Sequence, residues 1–139
     1  MWHGMFLFLL GLLTGFVETK FANVRMGLAA HLEGVMNGIF LLALGAAWGE
    51  VRLTPRLSAA AFWSVLYGTY VNYVMTTLAA ILGTGALSPI TAPGLNAGRW
   101  KEQFVTIGFM SVGLAIVASS ILILWGLRRQ AKELPVEAN

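Results

Sequence analysis

The chain has 139 residues, 58% of them hydrophobic and 11% charged, with a formal net charge of +3 and a mean hydropathy of +0.75. A water-soluble domain carries roughly 25% charged residues, so much of this apolar surface must face lipid. The absence of cysteine excludes a disulfide framework, a thiolate nucleophile and Cys-ligated zinc or iron–sulfur sites, and the nine Lys and Arg residues, scattered over loops and tail, form no nucleic-acid-binding face.

A spanning helix needs ~20 mostly apolar residues, and four segments qualify. The first, predicted over 4–22, is the shortest. It lacks the basic leader and small-residue cleavage site of a signal peptide and reads as a retained span. Gly4, Gly11 and Gly15 share one of its faces, and Glu18 lies at the membrane edge as a solvated end residue.

After the polar link "ETKFANVR" the second span is predicted over 26–48. Its opening stretch, "MGLAAHLEGVMNGIF", carries His31, Glu33 and Asn37, all costly in hydrocarbon and rare there unless used. On a wheel of about 100° per residue, Gly27, Gly34, Gly38 and Gly45 fall within about 40° of one another. His31 lies at one edge of that stripe, and Asn37 then Glu33 lie at the other. Small-residue stripes let helix backbones approach, and a flat cofactor also needs bare backbone. The glycines alone do not choose between these uses.

The third span is predicted over 57–82, restarting after Pro55. Thr69, Tyr70, Asn72, Tyr73, Thr76 and Thr77 cover an arc of about 160° on it. Asn72 and Tyr73 lie too deep for an interfacial belt, so the arc is expected to face protein or a cavity. A Gly-, Ala- and Pro-rich loop, "GTGALSPITAPGLNAGRWKEQ", follows and is long enough to cap one mouth of a bundle. The fourth span is predicted over 104–126, with scattered Ser and Thr and no polar cluster. Residues 1–126 thus read as a single all-α, four-helix transmembrane bundle, and the charged tail, 127–139, is expected to fray. Both termini then lie on one side, and a small excess of Lys and Arg there predicts cytoplasmic termini at a bacterial inner membrane.

His31 is a poor zinc ligand, since a tetrahedral site wants three or four donors and only His3 adds an imidazole. A haem iron needs one axial His. With no second buried His, the sixth position would be open or weakly occupied by a Met, and an open position suits Lewis-acid chemistry better than electron transfer. No nucleotide cofactor is expected.

The order "AAHLEGVMNG", together with "LYGTYVNYV", "GRWKEQ" and "ILWGLRR", resembles the small membrane isomerases that include hydroxylaminobenzene mutase and, more distantly, styrene oxide isomerase. The resemblance implies an intramolecular hydroxyl transfer that converts an aryl hydroxylamine to an ortho-aminophenol. It also implies a ferric haem b between neighbouring subunits of a homotrimer, with His31 as the axial ligand to the iron. Gly34 and Gly38 would flank the cofactor, and Asn37 would hold the small aromatic substrate. The Gly-to-Asn spacing in "GTYVN" is one residue longer than in the epoxide-acting branch, so Tyr73, Tyr70 and Asn72 are catalytic candidates by depth and face alone. Glu33 receives no role from the resemblance.

Two alternatives carry distinct expectations. An epoxide-to-aldehyde isomerase would use the same His31 and Asn37. A small proton-coupled exporter would instead depend on Glu33 as its intramembrane carboxylate.

Overall fold

The computed structural model describes residues 1–87 and 89–133, with side chains through residue 128 apart from position 88. Four helices follow one another: α1 Trp2–Gly15, α2 Val24–Ala47, α3 Pro55–Leu82 and α4 Arg99–Glu133. Short 3-10 turns at Glu18–Lys20 and Trp48–Glu50 bracket α2, and no strand occurs among the described residues. Val24–Glu50, Pro55–Leu82 and Arg99–Arg128 are long and apolar enough to cross a membrane.

The helix starts follow from local chemistry. Asn23 caps α2, its Oδ1 accepting from Met26 N–H at 3.1 Å. Pro55 opens α3 at its first turn, where a missing N–H is harmless. Gly83, at φ 68°, ends α3 in the left-handed region with its N–H on the Ala79 carbonyl at 2.9 Å.

Boundaries of the first and last helices differ from those expected, α4 beginning at Arg99 rather than residue 104. The first helix stops at Gly15 rather than running to residue 22. Phe16 and Val17 turn their N–H groups back to Leu13 and Thr14, tightening the chain into the 3-10 turn at Glu18–Lys20. Its 14 residues rise about 21 Å, less than the ~30 Å hydrocarbon core, so α1 falls below the length of a full span. At the other end, α4 continues through residues 127–133, expected to fray, because Leu127, Gln130, Ala131 and Lys132 are good helix formers. Residues 134–139 of that expected tail lie outside the described residues.

The substantial pairings are α1 with α2, α2 with α3, and α3 with α4, so the helices are arrayed in chain order rather than closed into a ring. The α1–α2 contact is backbone on backbone. A Cβ built on Gly4 would fall 2.7 Å from Leu42 N, one on Gly11 2.7 Å from Gly34 C, and one on Gly38 2.6 Å from Phe8 N. The central core gathers Leu7, Leu41, Ala61, Val65, Leu66 and Ile123, with Tyr70 and Tyr73 packed against it.

The α3–α4 loop is pinned rather than loose. The Glu102 carboxylate accepts from the N–H groups of Gly85, Ala86 and Ala97 at 3.0 to 3.2 Å. Asn23 Nδ2 donates to the Thr91 carbonyl at 3.2 Å, drawing the loop over the start of α2. The outer face of α4 presents Ile107, Met110, Leu114, Val117, Ile121 and Leu124, each more than half exposed. An apolar face of that length is suited to hydrocarbon, not water.

Candidate functional site

α2 carries polar side chains on two flanks, and each flank has its own neighbour. Toward α3 lie Glu33 and Asn37, one helical turn apart, and α3 contributes Asn72. Asn37 Nδ2 donates to Glu33 Oε2 at 3.2 Å, and Asn72 Nδ2 donates to the same oxygen. A carboxylate only accepts, and an Asn amide donates only through nitrogen. That fixes both amides with nitrogen toward Glu33 and Oδ1 turned away. Asn37 Nδ2 also lies 3.5 Å from the Thr69 carbonyl oxygen. Thr69 itself is fully buried, its hydroxyl turned back on the Val65 carbonyl at 2.9 Å.

His31 lies about 160° around α2 from Glu33. Its Nδ1 is 2.8 Å from the Gly11 carbonyl oxygen of α1. A carbonyl cannot donate, so Nδ1 carries the proton and, in the neutral ring, Nε2 keeps its lone pair. Gly15 makes room for the ring, since a Cβ there would stand 2.8 Å from Nδ1. The imidazole lines an open groove of about 470 Å³ whose walls are mainly Leu9, Leu12, Leu13, Phe16 and Leu28. Glu18 lines the same groove, and its Oε2 is buried without a hydrogen-bond partner.

The two tyrosines serve neither cluster directly. Tyr73 Oη lies 2.7 Å from Thr14 Oγ1 and 3.3 Å from the Leu10 carbonyl oxygen. Tyr70 Oη lies 3.2 Å from His3 Nδ1, with the rings edge to face at 5.8 Å. Both hydroxyls therefore face α1. Its carbonyls at Leu10 and Gly11 are reached by Tyr73 from α3 and by His31 from α2.

Of the sequence-predicted residues, Asn37 and Asn72 are brought together, while Tyr70, Tyr73 and His31 occupy separate hydrogen-bond sets. Gly34 and Gly38, expected to flank a cofactor, are both buried, and a Cβ on either would meet the α1 backbone at Gly11 or Phe8. Sequence reasoning missed Glu33 as the hub that joins the two amides. The signal was present in the helical spacing of Glu33 and Asn37 and in the polar arc of the third span, but their pairing depends on how α2 and α3 register.

A family model described as styrene oxide isomerase matches residues 1–128. The chain is 45% identical over 126 residues to hydroxylaminobenzene mutase HabB of Ectopseudomonas oleovorans, covering 90% of this chain and 77% of that protein. It is 41% identical over 127 residues to hydroxylaminobenzene mutase HabA of the same organism, covering 91% and 94% respectively. No solved structure is significantly similar to it.

Proposed function

The chain belongs to the styrene oxide isomerase family and is an isomerase, and from that premise we propose that it is a membrane-embedded mutase converting an aryl hydroxylamine to an ortho-aminophenol. The observation that carries this reading is the 45% identity, over 90% of the chain, to a protein named hydroxylaminobenzene mutase. The reaction is an isomerisation. The N–O bond breaks, a C–O bond forms at the ortho carbon, the ortho hydrogen leaves as a proton, and nitrogen gains one. No redox partner is required.

Haem b is the cofactor of this reading, and the donor set fits it. Nδ1 of His31 is held by the Gly11 carbonyl, which fixes the tautomer and orients Nε2 for a metal, as carbonyl partners do for metal-binding imidazoles generally. Among the described residues no three His, Asp or Glu side chains converge on a metal site, and haem iron needs only the one imidazole. The apolar groove beside His31 suits a large flat ring. When bound, ferric haem supplies a Lewis acid able to polarise an oxygen.

The chain's own side chains do the remaining work. Asn37 and Asn72 present their Oδ1 atoms to orient the polar end of the substrate. The hydroxyls of Tyr73, beside Thr14, and Tyr70, beside His3, are able to hold or move a proton. The apolar helices exclude the water that would trap an electron-poor arene. A homotrimer completes the reading. The groove of His31 and the seam of Glu33 lie on different flanks of α2, so a neighbouring copy can bring one chain's imidazole to another's amides. Family membership displaces the proton-coupled exporter that the sequence alone allowed.

The test is to incubate the purified, haem-replete protein with phenylhydroxylamine in water enriched in oxygen-18. Formation of 2-aminophenol without the label is the expected result. Persistence of phenylhydroxylamine, with an aryl epoxide converted to its aldehyde instead, would favour the second reading, an epoxide isomerase, which the family model supports.

A further inference from the structure

Glu33 is the polar group that the reaction above leaves without work, and its setting is specific. It lies about 14 Å along α2 from Val24, at a depth where a carboxylate is costly unless something holds it. No cation pairs with it among the described residues. Its partners are the two amide nitrogens of Asn37 and Asn72, both on Oε2. That leaves three acceptor atoms, Glu33 Oε1, Asn37 Oδ1 and Asn72 Oδ1, without a hydrogen bond inside the chain among the described residues. None of the three is sealed away from a probe. Asn37, meanwhile, has both amide hydrogens engaged, on Glu33 and toward Thr69, while Asn72 spends one of its two on Glu33 and keeps the other.

An assembly that keeps three acceptors against one free donor favours a ligand rich in donors. We propose that Glu33, held by Asn37 and Asn72, forms an acceptor cluster that binds the N–H and O–H hydrogens of a hydroxylamine and sets this chain's preference for hydroxylamines over epoxides. This rests on the mutase reading and deepens it by naming the group that recognises the head of the substrate. An epoxide oxygen has no hydrogen to give. It could accept from the remaining Asn72 amide hydrogen but would leave the three acceptors desolvated and unpaired, the condition under which a polar site rejects an analogue that lacks its hydrogen.

The test is a cycle of protein variant against substrate variant, using the full-length haem-replete protein. Phenylhydroxylamine and N-methyl-N-phenylhydroxylamine, which lacks the N–H, are compared on the wild type and on Glu33→Gln, with equilibrium binding and kcat/KM both measured. Loss of the N–H is expected to weaken binding to the wild type by ~10- to 100-fold, and to change little in Glu33→Gln. The epoxide-to-hydroxylamine ratio of kcat/KM should rise in the variant. Glu33→Asp, which keeps the charge, should restore part of the discrimination, and it stands in should Glu33→Gln fail to fold. An equal loss for both hydroxylamines in the variants would mean that Glu33 only supports the fold and would overturn the proposal, as would wild-type binding indifferent to the N–H. Binding that depends on Glu33 without any rearrangement would instead sustain the cluster and sink the mutase reading.

Discussion

The two flanks of α2 are built on opposite principles. Toward α1, specificity comes from what is missing: glycines at 4, 11, 34 and 38 let two backbones touch, and each added Cβ would stand within 3 Å of main-chain atoms. Toward α3, specificity comes from what is present, a carboxylate and two amides that hold one another. Within a bilayer, apolar side chains gain little by leaving lipid, so close backbone packing and interhelical hydrogen bonds are the available means of fixing helices. α2 uses one on each side. The close-packed flank sets where α1 lies and so where the Gly11 carbonyl meets His31, while the polar flank ties Asn37 of α2 and Asn72 of α3 to one Glu33 oxygen.

The largest expected effect is on the glycine flank. Gly38→Leu drives a side chain into the backbone of Phe8 and should destabilise the protein by about 3 kcal/mol or more, read as a fall in thermal midpoint of ~10 °C in detergent. A much smaller fall, with the His31 environment unchanged, would show that α1 tolerates displacement. Next, Asn72→Ala removes one of two donors on the Glu33 carboxylate and should cost about 1–3 kcal/mol. Added to Glu33→Gln, the same change should cost less than it does alone, a non-additivity measurable in a double-mutant cycle. The smallest effect belongs to Gly113→Ala on α4. Outside its own helix backbone and chain neighbours, no described atom lies within 4 Å of the added Cβ, so stability should rise by no more than about 1 kcal/mol, the helix-propensity gain of Ala over Gly. A large change there would mean that α4 packs against something beyond this chain.

What was legible in the sequence follows from what is local. The long apolar runs of α2 and α3 are properties of neighbouring residues, and their limits fall close to those expected, whereas α4 extends beyond its expected limits at both ends. α1 was overestimated because its apolar run continues through Phe16 and Val17, whereas the turn that ends it is fixed by tertiary placement. The glycine stripe of α2 was visible, but bare backbone for a helix and bare backbone for a cofactor make the same pattern, and only the position of α1 decides. Glu33 stayed without a role because its partner Asn72 is 39 residues away, and no periodicity within one helix reveals a bond between two. The partners of Tyr70 and Tyr73, His3 and Thr14, escaped for the same reason.

The visible absorption spectrum of the purified protein, taken alongside His31→Ala and Glu33→Gln from haem-replete cells, tests the division between the two flanks most directly. The wild type should show an intense Soret band that His31→Ala loses or shifts and Glu33→Gln retains unchanged. A colourless wild type, or a band indifferent to His31 and sensitive to Glu33, would contradict the assignment of cofactor to one flank and substrate to the other.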